Sequence, residues 1–147
     1  MANNKIIDEL NDLLTRNYDA EKGYQEAAKI VESQAMKGFF IDQARNRYDF
    51  GHEVKDEIRH LGGEPNKGTS FKGDLHRGWL NLRDAISNGS EALLEECIRG
   101  ENAAIEEYDE FIAKDYIPDD IKSIFTKQKS SIQQAIHRLS SMEKAVG

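Results

Sequence analysis

A chain of 147 residues is long enough to bury about two-thirds of its unfolded surface in one core without staples, so a single domain spanning residues 1–147 is expected. Its composition, 38% hydrophobic and 32% charged with two prolines, suits a strongly helical protein better than a sheet or a disordered tail. The formal charge of −7 argues against nucleic acid and anionic membrane as partners, because both need clustered Lys and Arg. Cys97 stands alone, so no internal disulfide forms and the reducing cytoplasm is the expected compartment.

The chain opens MANNKIIDELNDLL, where Asp8, Glu9 and Asp12 break any apolar run, so this stretch reads as neither a secretory signal nor a membrane anchor. From about Lys5 to Ser33, Ile7, Leu10, Leu14, Ala28 and Val31 keep a heptad-like spacing that predicts a first long helix. Asn17, Glu21 and Tyr24 interrupt that seam. Gly38 is expected near the following turn, and Phe40, Ala44, Arg47, Gly51, Val54, Ile58 and Leu61 describe a second helix over about Phe39–Leu61. Gly62, Gly63 and Pro65 end it, glycine being free to take positive φ and proline being unable to continue.

The stretch GEPNKGTSFKG is rich in turn-formers, and a short amphipathic helix is expected at about Asp74–Ser87, with Trp79 on its apolar face. Ser90 is the expected N-cap of a third helix, about Glu91–Lys114. Pro118, Asp119 and Asp120 open a fourth, since proline costs nothing at the first helical position and acids favour the positive end of the dipole. Its seam runs Ile121, Phe125, Gln128, Ile132, Ala135, Leu139, Met142. Short first and third connections make antiparallel hairpins. The second connection is long enough to run the length of the bundle, which lets the second and third helices lie parallel.

Each seam carries a polar interruption: Glu21, Arg47, Glu101 and Gln128. Within each hairpin the two members lie at similar distances from the turn, so all four are expected at one depth. The sequence thus places a buried polar layer inside an all-α bundle, with Asn17, Tyr24 and Tyr108 close enough to fill its remaining hydrogen bonds.

At this point the chain resembles the ferritin-like superfamily, and more closely a bacterial branch of small four-helix-bundle proteins without assigned function. The phrases that carry the likeness are NDLLTRNYDAEKGYQEAA, HLGGEP, FKGDLHRGWLNL, GENAAIEEY and KQKSSIQQAIHRL. The resemblance implies a four-helix bundle with a long crossover between its second and third helices. Members that bind two irons place a Glu on the first and third helices and a Glu-x-x-His on the second and fourth. Glu21 and Glu101 match that pattern. Arg47 and Phe50, and Gln128 and Ser131, stand where the two Glu-x-x-His pairs would be. The expectation is therefore a metal-free bundle with no cofactor and no catalytic residues, its Arg47 guanidinium answering Glu21 and Glu101. Its role would be structural or in interaction, with a protein partner or by self-association, and by analogy with relatives in stress physiology. The alternative is an iron-handling protein or oxidoreductase whose site keeps Glu21 and Glu101 as ligands.

Other residues read more plainly. Asp49 and His52 have the spacing of a metal pair but lie away from the seam, and are expected at the surface. Cys97 falls on an apolar stripe as a small hydrophobe, and Glu106, Glu107, Asp109 and Glu110 form a solvent face.

Overall fold

The computed structural model describes residues 2–67 and 85–146. Four long helices account for most of them: α1 (Ala2–Ile30), α2 (Gln34–His60), α3 (Ser90–Ile112) and α4 (Asp119–Val146). The expected helix containing Trp79 lies outside the described residues, apart from Ala85 and Ile86, which are helical.

Each helix buries one stripe of its circumference. Ile6, Leu10, Leu13 and Leu14 of α1 face Val54 and Ile58 of α2, Phe111 of α3, and Ile121, Phe125 and Ile132 of α4. Removing one such Leu or Ile side chain from water is worth about 1.5–3 kcal/mol, which is what holds helices of modest intrinsic propensity in place. At the other end, Tyr24, Val31, Phe39, Phe40, Leu93, Leu94 and Leu139 make a second apolar block. Tyr24 stacks on Phe40 with ring centroids 5.9 Å apart, and Phe39 meets Phe40 edge to face.

Helix direction follows from which residues meet. Along α1 and α3, Glu9 reaches Lys114, Arg16 reaches Glu107 and Tyr24 reaches Glu101, so the two run antiparallel. Along α1 and α2, Tyr24 lies on Phe40 and Lys55 over the Tyr18 ring, again antiparallel. It follows that α2 and α3 are parallel and sit on the diagonal of the bundle, with α2 ending at the opposite end from where α3 begins.

Two boundaries differ from expectation. The α1–α2 turn comes at 31–33, not at Gly38, because the Ser33 hydroxyl caps α2 by accepting from the Met36 N–H at 3.2 Å. Gly38 is therefore inside α2. The N-cap of α3 is Gly89 with φ 106°, not Ser90, and no side chain caps that end. The end of α2 is as expected: Gly62 takes φ 86°, and a Cβ on Gly63 would stand 2.7 Å from Ile7. The chain leaving α2 is then tied to α1, since Asn11 donates to the Glu64 carbonyl at 3.1 Å and accepts from the Asn66 N–H at 2.7 Å.

Two substitutions test the corrected turn. Ser33→Ala should cost about 1 kcal/mol of unfolding free energy by urea denaturation, the usual loss of an N-cap. Gly38→Ala should raise stability by about 0.5–1 kcal/mol, because nothing lies within 4 Å of the added Cβ and the residue is mid-helix.

Candidate functional site

The two apolar blocks are separated by polar side chains in the middle of the bundle. Arg47 on α2 and Glu101 on α3 are both buried, at 3% and 0% exposure, and they form an ion pair through Nη2 and Oε1. The other carboxylate oxygen of Glu101 accepts from the Tyr24 hydroxyl at 2.5 Å. Both oxygens are thereby occupied, one by a cation and one by a phenol. Phe50 covers the guanidinium, its ring centroid 5.9 Å from Cζ.

Seven residues from Tyr24 along α1, at Asn17, and seven from Glu101 along α3, at Tyr108, lies a second tier, about two helical turns or 10 Å away. Asn17 donates to the Tyr108 hydroxyl at 3.1 Å, Tyr108 donates to Gln128 Oε1 at 2.6 Å, and Gln128 Nε2 donates to Glu53 Oε1 at 2.8 Å and to the Phe50 carbonyl at 3.4 Å. The chain of donors runs one way, from the core to an exposed carboxylate.

The structure brings Arg47, Glu101 and Tyr24 together, and Asn17, Tyr108 and Gln128 together, but in two tiers where one depth was expected. Glu21 is in neither. It is only half buried, and its carboxylate accepts from Gln25 one turn on, at 3.4 Å. The inward positions of this part of α1 are Ala20 and Tyr24, and Tyr24 is long enough to reach the acid that Glu21 was expected to join. The ligand pattern shifts likewise on α4, where Ser131 is exposed and Ile132 faces the core. Glu53, the outer end of the second tier, had no signal in the sequence beyond lying one helical turn past Phe50.

Burial pushes the Glu101 carboxyl above its ordinary range, and Arg47 and the Tyr24 hydroxyl draw it only part of the way back. Burial also works against the charge on Arg47, but the neighbouring Glu101, Tyr108 and Tyr24 overcome it and hold the guanidinium above its ordinary value. The Tyr108 hydroxyl is pushed up to about 12 by burial, and Tyr24 also lies well above a free phenol for the same reason. Both tyrosines are therefore neutral donors throughout the physiological range. Cys97 is buried, its thiol pushed up by burial and by the nearby Glu101 charge, and is inert as a nucleophile.

An iron pair does not fit here. Of the six side chains at the positions that the resemblance assigns to it, Glu101 alone is a buried carboxylate, and its oxygens are bound to a fixed cation and a phenol. Asp49 and His52 are exposed, with the His52 ring against Tyr48 at 4.6 Å. Among the described residues one other group has donors close together: Glu91, Glu95 and Glu143 bring a carboxylate oxygen each to within 4.8 Å of one another. It lies near the surface at the far end of α3, with two of its three members exposed.

The fold and this interior define a ferritin-like four-helix bundle. The chain belongs to the family described as Domain of unknown function (DUF2383), whose model matches residues 5–114. No curated protein is similar enough in sequence to count as a relative. Two solved structures share the fold. A mutant of Mycobacterium smegmatis Dps1 superposes with a TM-score of 0.82 at 15% identity, covering 97% of both chains. A protein of Bacillus anthracis str. Ames, titled as ferritin like, diiron-carboxylate, superposes at 0.69 with 17% identity, over 100% of this chain and 99% of the other.

Removing Arg47 should expose the energetics of the layer. Arg47→Ala leaves Glu101 buried without its cation, at a cost of about 3–5 kcal/mol at pH 7. The Glu101 carboxyl is then raised further above its unfolded value near 4.3, so the stabilisation from binding its proton is complete below that value and is lost as pH rises through the raised one. Urea unfolding should therefore show a smaller deficit at pH 5 than at pH 7, and Arg47→Ala with Glu101→Gln should recover part of the loss at pH 7. Tyr24→Phe, which deletes one hydrogen bond to a charged acceptor, should cost about 1.5–3 kcal/mol in the same assay.

Proposed function

We propose that this protein is a metal-free ferritin-like bundle that works as a structural or interaction module, associating with copies of itself, with no reaction carried out in its interior. The observation that carries the reading is the Arg47–Glu101 pair. A guanidinium cannot be deprotonated in a protein, so it occupies the electrostatic place of a metal cation permanently. The second tier of Asn17, Tyr108 and Gln128 is made of neutral donors and acceptors that satisfy one another, and none of them is an activated nucleophile or base. The action of such a bundle is at its surface. The lone buried Cys97 suits a reducing compartment, in keeping with a cytoplasmic setting, and among the described residues no helix is long and apolar enough to cross a membrane.

The second reading is an iron-handling protein. It draws on the likeness to the Bacillus anthracis diiron-carboxylate protein and on the Glu91, Glu95, Glu143 cluster. The two readings part in one experiment. Protein purified without chelator, loaded anaerobically with ferrous iron and desalted, should retain no stoichiometric iron by mass spectrometry. On admission of air it should oxidise ferrous iron no faster than buffer. Retention of two irons per chain would overturn the metal-free reading, and loss of that iron in Glu101→Gln or in Glu143→Gln would say which site holds it.

A further inference from the structure

We infer that Asn88 is a site of self-modification, at which the backbone nitrogen of Gly89 displaces the side-chain amide and leaves aspartate or isoaspartate just ahead of α3. Of all the asparagines in the chain, Asn88 alone precedes a glycine. Every other one is followed by a residue whose Cβ crowds the nitrogen that would attack. Ser87, Asn88 and Gly89 are exposed, between the helical pair of Ala85 and Ile86 and the first turn of α3. Gly89 takes φ 106°, a conformation that an L side chain rarely adopts. The Asn88 carboxamide makes no hydrogen bond to another described residue, so its Cγ can swing onto the Gly89 nitrogen. Asn11 and Asn17 differ on every count. They lie inside α1, and their side chains are held by the Glu64 carbonyl and the Asn66 N–H in one case, and by the Leu13 carbonyl and Tyr108 in the other.

One pair of contacts opposes the attack. The Gly89 N–H donates to the Ile86 carbonyl at 2.9 Å, and the Asn88 N–H to the Ala85 carbonyl at 3.0 Å. An exposed turn closed by two such bonds opens locally at a small fraction of the free energy of global unfolding, and the open state reacts. The Gly89 nitrogen then gives up its proton to water and bonds to Asn88 Cγ. The Cγ–Nδ2 bond breaks, and Nδ2 leaves with a proton as ammonia. The cyclic imide so formed takes up one water. Opening at Cγ restores the ordinary backbone with aspartate at position 88. Opening at the main-chain carbonyl leaves the chain running through Cβ and Cγ, which is isoaspartate. Water is the one co-reactant.

The two products act differently on α3. Its N-terminus has no side-chain cap and one acid, Glu91, in its first turn. Aspartate at position 88 adds a carboxylate beside the positive end of the helix dipole. Isoaspartate instead adds one carbon to the main chain between Ile86, which packs on the core, and the buried Leu93 and Leu94. It also disturbs the bond from the Leu93 N–H to the Gly89 carbonyl that starts the helix. Either product adds one negative charge to a chain already at −7.

The test is to age the full chain for weeks at neutral pH and physiological temperature and then digest it with trypsin. Residues 84–99 emerge as DAISNGSEALLEECIR, in which Asn88 is the one side-chain amide. The peptide should split into the parent and two species of equal mass, each heavier by the exchange of an amide for an acid, with ammonia released in step. One of the two should accept a methyl group from S-adenosylmethionine in the presence of an isoaspartyl methyltransferase. Asn88→Gln, whose side chain would have to close a larger ring, should leave this peptide unchanged. The native chain should convert several-fold more slowly than the chain unfolded in guanidinium, because the turn must first open. A native chain that stays unconverted while the unfolded one converts fully overturns the inference, as does an aspartyl product with no isoaspartyl one. The isoaspartyl fraction should melt below the wild type and Asn88→Asp at or above it. An isoaspartyl fraction that melts with the wild type overturns the effect assigned to α3.

Discussion

A single ion pair, Arg47 with Glu101, organises the interior of this bundle. A charge buried without its counter-charge is among the most costly defects that a core can carry, so every helix near the pair must place its side chains around it. Tyr24 closes the second oxygen of Glu101, Phe50 covers the guanidinium, and the neutral tier of Asn17, Tyr108 and Gln128 follows two turns on. Well-packed apolar side chains of the same volume would often hold such a bundle at least as firmly. What we assign to the pair is register: a shift of one helix by a single turn would set Arg47 against apolar neighbours such as Cys97 or Ala104 and leave two bare charges.

Much of this was legible in the sequence, for identifiable reasons. Helix number, hairpin pairing and the parallel second and third helices follow from seam periodicity and from the unequal lengths of the connections. Arg47, Glu101 and Gln128 stood out because each is a long polar side chain in an otherwise apolar stripe, and a stripe is a direct statement about burial. Glu21 stood in such a stripe as well, yet it lies at the rim. A seven-residue repeat drifts by about 20° per heptad on a straight helix, and at the boundary of the seam that drift decides between inside and outside. The tyrosine three residues later settles the matter, being long enough to enter from the next position round. The α1–α2 turn was misplaced because Gly38 is a conspicuous breaker, whereas Ser33, which sets the boundary by a single hydrogen bond, is a common residue in no special pattern.

The likeness to a Dps protein and to a protein titled diiron-carboxylate is a likeness of backbone, at 15% and 17% identity. The same four helices can hold a metal or an ion pair because both solve one problem, the neutralisation of inward-pointing carboxylates. In this chain the buried Glu101 is answered by a side chain carried on α2 itself, Arg47.

The hydrogen bonds of the interior also divide unevenly between the two hairpins. Tyr24 to Glu101, Arg47 to Glu101, Asn17 to Tyr108 and Gln128 to Glu53 all cross from the α1–α2 pair to the α3–α4 pair, and Tyr108 to Gln128 stays within one. Each hairpin, formed alone from contacts close in sequence, would keep its charged member in water at little cost. Docking is the step that strips water from Arg47 and Glu101 together, and they span 54 residues of chain. Any approach in which the two fail to meet carries the full desolvation penalty with no return, which makes half-docked bundles scarce. Formation of the whole is thereby tied to one late, long-range meeting, and the bundle opens and closes as a unit even though its two halves are built locally.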